Sequence, residues 1–258
     1  MTRISFSDTV KGEERDDILV VTIDNPPVNA TSASVRAGLL AALAHSYDRA
    51  HLAGIVLTSA GTTFIGGADI REFGLPPVEP ILPDVIEAIE AHDKPVVAAL
   101  NGAALGGGLE VALACHARLA LSSAVVALPE VKLGLVPDWA SLLTLPRRIG
   151  HARAQQLLAR SGSLTGAQAQ ELGLVDVLAA EDGAVMAAAV AEAAALAQLP
   201  REAYARMKRM LQPTAEEFDR VLQSEEDAQA ALLQGPAFRE GYAAMRDKRA
   251  ADFIGSGA

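Results

Sequence analysis

Cysteine is nearly absent from this chain of 258 residues, where Cys115 stands alone. One thiol excludes an internal disulfide framework and any multi-cysteine metal site. Aromatic residues are scarce too, at 4% with a single tryptophan, Trp139. The core must therefore be aliphatic. Basic residues are outnumbered, 22 against 32 acidic, giving a formal net charge of -10 and a pI near 5.0. That balance argues against nucleic acid as a partner, because such binding rests on a basic footprint. Long apolar runs are missing as well. One uncharged, apolar-leaning stretch, Pro95 to Leu109, holds five glycine or asparagine positions and stops at Glu110. A membrane-spanning helix needs roughly 20 mostly apolar residues, so no membrane partner is expected. Met1 to Asp17 is charged throughout with no apolar signal core, so a soluble, cytoplasmic chain is expected.

Half of the residues are apolar, ample for one core. A chain of this length buries roughly 70–75% of its unfolded surface. Ile18 to Ile23 is a β-branched run closed by Asp24-Asn25-Pro26-Pro27, and reads as a strand with its turn. Gly54 to Ser59 and Pro95 to Leu100 read as two more buried strands. Helical spacing recurs over Ser34 to Ala50 (Val35, Leu39, Leu43, Tyr47) and over Leu82 to Ala91 (Val85, Ile86, Ile89). Strand, helix and strand in repetition predict an α/β domain of right-handed crossovers. Beyond Leu199 charge thickens, while Phe218, Val221, Leu222 and Leu232 keep helical spacing. Pro213 and Pro236 sit where helices can begin. The expected division is an α/β core over 1–199 and a packed helical region over 200–258.

Two glycine turns carry possible chemistry. Asn101 to Glu110 places Gly106, Gly107 and Gly108 between a strand and a helix. Backbone N–H groups there are unshielded and meet the positive end of the helix dipole, a place that stabilises a negative oxygen. No Gly-Lys-Ser/Thr follows, so a phosphate loop is excluded. The glycines equally suit a plain tight turn. Gly66-Gly67-Ala68-Asp69 ends a second such turn, and donors from both turns at one sheet edge would form an oxyanion hole. Asp69 also suits a capping role. Glu110 and Glu130 have apolar neighbours, and burial there would raise their pKa and suit acid and base roles. Glu110 equally suits a helix cap. The five histidines show no metal spacing, Cys115 reads as an inert core thiol within a helix, and no G-x-S-x-G elbow exists.

Taken together, these stretches resemble the crotonase (enoyl-CoA hydratase/isomerase) superfamily over nearly the whole chain. The resemblance is carried by Asp24 to Ala30, Phe64 to Ile70, Lys94 to Ala99, Asn101 to Glu110, Leu128-Pro129-Glu130, and the ending Glu240-Gly241, Lys248-Arg249 and Phe253. Phe64 to Phe73 and Ala112 to Arg118 look closest to the hydratase part of multifunctional β-oxidation enzymes. The resemblance implies a crotonase-like spiral of βαβ and ββα units with a C-terminal helical oligomerisation region. It implies an acyl-CoA thioester substrate, no cofactor beyond the coenzyme A of that substrate, no metal, and a homotrimer or homohexamer. By the same resemblance the N–H groups of Ala68 and Gly107 hold the thioester oxygen. Glu110 activates water and Glu130 protonates the α-carbon. Ala68, Asp69, Ile70, Arg71, Gly106 and Trp139 would line the substrate site, with Arg71 a cation for the CoA phosphates.

One stretch departs from that pattern. A typical hydratase has a glycine-rich turn where this chain reads Pro137-Asp138-Trp139-Ala140-Ser141. Asp138 replaces a glycine that helps hold the catalytic water, and is either a helix N-cap or a further catalytic carboxylate. Trp139 reads as pocket wall or interface filler. The leading expectation is an enoyl-CoA hydratase. Its alternatives are an isomerase or other crotonase reaction using Asp138, and a silent CoA-binding relative.

Overall fold

Residues 3–137, 141–179 and 184–255 are described by a computed structural model. In chain order the first elements are β1 (Arg3–Ser5), β2 (Val10–Arg15), β3 (Ile18–Ile23), α1 (Ala33–Tyr47), β4 (Gly54–Ser59), β5 (Thr63–Ile65), α2 (Leu82–Ala91), β6 (Val96–Leu100), β7 (Ala103–Leu105), α3 (Gly107–Ala114), β8 (Ala117–Leu121) and β9 (Val125–Ala127). There follow α4 (Ser141–Ile149), α5 (His151–Arg160), β10 (Ser163–Thr165), α6 (Gly166–Leu172), β11 (Val177–Ala179), α7 (Ala184–Ala197), α8 (Arg201–Leu211), α9 (Ala215–Leu233) and α10 (Pro236–Arg246). Contacts divide the chain into two units, Met1–Val126 with Leu164–Gln212, and Ala127–Ser163 with Pro213–Ala258.

The first unit is an α/β body. Its main sheet runs β1-β2-β3-β4-β6-β8-β11, antiparallel from β1 to β3 and parallel from β3 onward. Every residue of β4 and β6 is buried, which is why these strands are continuous apolar runs without alternation. Helix α7 packs on β4, β6 and β8, and α1 lies against β2 and β3. Helix α1 ends three residues before the expected Ala50. There the buried Lys94 ammonium donates to the carbonyls of Ser46 and Arg49, closing the helix C-terminus. Cys115 stands just past α3 rather than inside a helix, because its N–H turns back to Ala112 O at 3.2 Å before β8 begins. A second sheet, β10-β9-β7-β5, is built of strands only three residues long. The sequence pattern did not reveal it.

The boundary at Gln212 and Pro213 lies beyond the composition shift near Leu199, because α8 is tied into the first unit. The Lys208 ammonium donates to His92 O at 2.5 Å and to the Nε2 of His116. Nδ1 of that imidazole lies 2.7 Å from Val96 N and 3.1 Å from Val96 O, and the ring stays neutral. Burial, then the adjacent Lys208 charge, pushes His116 from 6.5 down to about 3. Unfolded His116 takes up a proton that the folded chain refuses, so the unfolded state binds more protons between about pH 3 and 6.5. Stability contributed by this site is therefore lost on acidification from neutral pH, at up to about 1.4 kcal/mol per pH unit. Urea unfolding between pH 7 and 5 should show a flatter pH slope in His116→Gln than in the parent. Equal slopes would refute it.

The second unit is helical. Helix α9 opens with a capping box in which the Thr214 hydroxyl accepts from Glu217 N–H and the Glu217 carboxylate accepts from Thr214 N–H. Pro236 opens α10 as expected for a first-turn proline. Helix α10 packs closely on a 3-10 helix, Glu130–Leu133, where a Cβ added at Gly241 would lie 2.7 Å from Leu133 Cα.

Candidate active site

Strands β5 and β7 are parallel neighbours, pairing Thr63 with Ala103 and Ile65 with Ala104. The chain therefore leaves both at one edge, and each exit is a glycine turn. After β5 the carbonyl of Gly67 accepts from Thr31 N–H at 2.9 Å and from the Thr31 hydroxyl at 3.4 Å. In a trans peptide the N–H points opposite to the C=O, so this grip aims Ala68 N–H away from Thr31. After β7, Gly106 takes φ 51° and ψ -124°, a conformation that L side chains rarely adopt. Its carbonyl accepts from Leu109 N–H at 2.8 Å and Glu110 N–H at 3.1 Å, which starts α3 and points Gly107 N–H backwards out of the first turn. Among the described residues, neither Ala68 N–H nor Gly107 N–H meets a protein acceptor. Two oriented donors thus stand on adjacent turns, beside a helix N-terminus.

Glu110 lies one turn into α3 and is 6% exposed. Its Oε2 lies 3.6 Å from the point that a Cβ on Gly107 would occupy. Thr31 Oγ1 lies 3.8 Å and Leu82 Cδ2 2.8 Å from the same point. The carboxylate thus folds back toward the helix N-terminus, as i and i+3 positions on one face allow. Asp69 caps the short helix Ile70–Glu72, accepting from Arg71 N–H at 3.0 Å and from the Arg71 guanidinium at 2.8 and 2.6 Å. That guanidinium holds the Asp69 carboxyl below its usual range. Arg71 is therefore an ion-paired cation, yet its side chain is 77% exposed and presents charge to solvent. Ile70 is exposed beside it.

Glu130 belongs to the second unit, half-buried at the start of the 3-10 helix Glu130–Leu133. Leu135 N–H donates to its carbonyl at 3.0 Å. Asp138 and Trp139 lie outside the described residues. Just beyond them, the carboxylate of Glu225, buried on α9, accepts from Leu142 N–H at 3.3 Å, an anion at the start of α4. Glu225 escaped the sequence reading, as did Thr31, Arg36, Glu72 and Leu82. Only Arg36 carried a signal, a lone cation flanked by the apolar positions Val35 and Leu39 of α1. Among the described residues, no three His, Cys, Asp or Glu side chains group as a metal site, and no helix is long and apolar enough to cross a membrane.

The family model for enoyl-CoA hydratase/isomerase matches residues 13–256. The chain belongs to this family. A Bacillus subtilis (strain 168) relative named probable enoyl-CoA hydratase is 35% identical over 246 residues, covering 92% of this chain and 95% of that protein. The peroxisomal bifunctional enzyme of Danio rerio is 42% identical over 159 residues, 62% of this chain. The match spans only 22% of that longer enzyme. The crystal structure of an enoyl-CoA hydratase/isomerase from Pseudoalteromonas atlantica T6c superimposes with a TM-score of 0.86 at 30% identity, over 96% of this chain and all of that one. The resemblance read from the motifs holds, and so does the mixed α/β class with parallel sheets. Within this enoyl-CoA hydratase/isomerase fold, the two glycine turns and Glu110 occupy one corner of the first unit.

Proposed function

We propose that this chain hydrates the 2,3 double bond of an enoyl-CoA thioester, as in fatty-acid β-oxidation. The observation that carries the reading is the pair of N–H groups of Ala68 and Gly107, without an acceptor among the described residues, on adjacent turns with the buried Glu110 carboxylate beside Gly107. The thioester oxygen accepts from both donors. As water adds at C3, negative charge moves onto that oxygen, and preorganised donors stabilise the enolate more than the ground state. Glu110 takes the proton from water as the O–C3 bond forms. The family resemblance gives Glu130 the delivery of a proton to C2, which completes the hydroxyacyl-CoA. Arg71 offers its exposed charge to the CoA phosphates, and no cofactor beyond the substrate's own coenzyme A enters the reading. Exposed Met207, Met210 and Leu211 on α8 support assembly as a homotrimer or homohexamer.

The test is incubation with crotonyl-CoA, following loss of the enoyl-thioester absorbance and gain of one water by mass. A 3-enoyl-CoA runs in parallel. Hydration of crotonyl-CoA is the expected result. Double-bond migration in the 3-enoyl substrate without hydration would overturn the reading in favour of an isomerase that uses Asp138. Binding of both substrates without turnover would leave a CoA-binding protein.

A further inference from the structure

Arg36 is the least expected charge in the first unit. It sits on α1, is only 5% exposed, and its guanidinium donates four hydrogen bonds. Nη1 reaches Thr31 O at 2.5 Å and Glu72 Oε2 at 2.8 Å. Nε reaches Pro80 O at 2.5 Å and Nη2 reaches Val78 O at 2.8 Å. Glu72 completes the knot by accepting Ala33 N–H on its other oxygen at 3.1 Å, at the start of α1.

The addresses of these bonds matter more than their number. Thr31 is the residue whose N–H and hydroxyl grip the Gly67 carbonyl, and so aim Ala68 N–H. Glu72 closes the short helix that begins two residues after Ala68. The guanidinium therefore braces the chain on both sides of that donor. Val78 and Pro80 lead directly into Leu82, whose Cδ2 stands against Gly107. A planar, charge-assisted fork suits this task, since it holds several acceptors at fixed angles as an ammonium does not.

We infer that Arg36 is a positioning residue that sets the alignment of the oxyanion donors. Through Thr31 and Glu72 it orients the peptide carrying Ala68 N–H, and through Val78 and Pro80 it places Leu82 beside Gly107. The kinetic readout rests on the hydratase reading, whereas the donor alignment has a readout of its own. An aryl-conjugated enoyl thioester, cinnamoyl-CoA, shifts its absorbance to the red when its carbonyl is polarised by hydrogen bonds.

Arg36→Met keeps the length and apolar packing of the stem and removes every donor. At saturating ligand it should show a smaller red shift than the parent. Its kcat on crotonyl-CoA should fall by about 10- to 100-fold, the scale of a misaligned or weakened oxyanion contact. Arg36→Lys should recover little of either. Glu72→Gln leaves the arginine in place and should give an intermediate shift, which keeps the test open should Arg36→Met fail to fold. A full red shift with parental kcat in a folded Arg36→Met, or in Glu72→Gln if only that variant folds, would overturn the inference. A parental red shift that Arg36→Met diminishes, without hydration by either protein, would uphold the alignment role and sink the hydratase reading. Hydration by the parent with an unchanged shift in the variants would do the reverse.

Discussion

Replacing Glu110 by glutamine is expected to lower turnover of crotonyl-CoA by about a hundred- to ten-thousandfold, the range of a lost general base. The two side chains are nearly isosteric, so the packing of this buried position survives and the melting temperature should change little. What disappears is the proton acceptor at the foot of α3. The donors of Ala68 and Gly107 are backbone groups and stay in place, so the red shift of bound cinnamoyl-CoA should persist. Loss of turnover with a retained shift would separate proton transfer from carbonyl polarisation. Hydration at parental rate would remove Glu110 from the mechanism. Glu130→Gln, measured beside it, should also suppress hydration if its proton reaches C2.

The second large effect is on the fold. Gly108→Ala places a methyl in the first turn of α3, where helix propensity alone favours alanine by about 1 kcal/mol. The local preference is overruled by what stands opposite. The added Cβ would lie 2.2 Å from Ile65 O, 2.8 Å from Ile65 Cβ and 2.9 Å from Ile65 C. Two of the three are backbone atoms of β5, so no rotamer change relieves the clash, and α3 must move off the sheet. Overpacking of this kind costs about 1–3 kcal/mol and more where the backbone must shift. Urea unfolding should place Gly108→Ala at or above the top of that range, with activity falling because Gly107 N–H moves with the turn. Gly162→Ala is the control. Its Cβ would find only Leu157 Cδ1, at 3.8 Å, so it should be neutral or stabilising by about 0.4–1 kcal/mol. Equal loss at both positions would show that the approach of α3 to β5 is not what Gly108 protects.

These effects belong to features that were legible in the sequence to different degrees. Ile18 to Ile23 and Gly54 to Ser59 were readable to the residue, because nearly continuous burial between turn signals, at five of six positions in the first and all six in the second, leaves no other use for such a segment. Helix α2 was equally plain, since Val85, Ile86 and Ile89 face one side of ten residues. The two glycine turns and Glu110 stood out as candidates, although each taken alone equally suited a plain turn or a helix cap. The family followed from their combination. Strands β5 and β7 were invisible, for three residues carry no period, and yet their pairing is what brings the two turns together.

The sequence by itself determined composition, charge, the buried parallel strands, the glycine turns and the family. The tertiary structure alone decided that Thr31 aims a peptide, that Arg36 braces both sides of it, and that α8 joins the first unit through Lys208. The reason is one of range. Strand and helix signals repeat over a few neighbouring residues, whereas the acceptors of the Arg36 guanidinium lie up to 44 positions away along the chain. The burial of Arg36 left a local trace, but its partners left none. Only the folded chain supplies its partners.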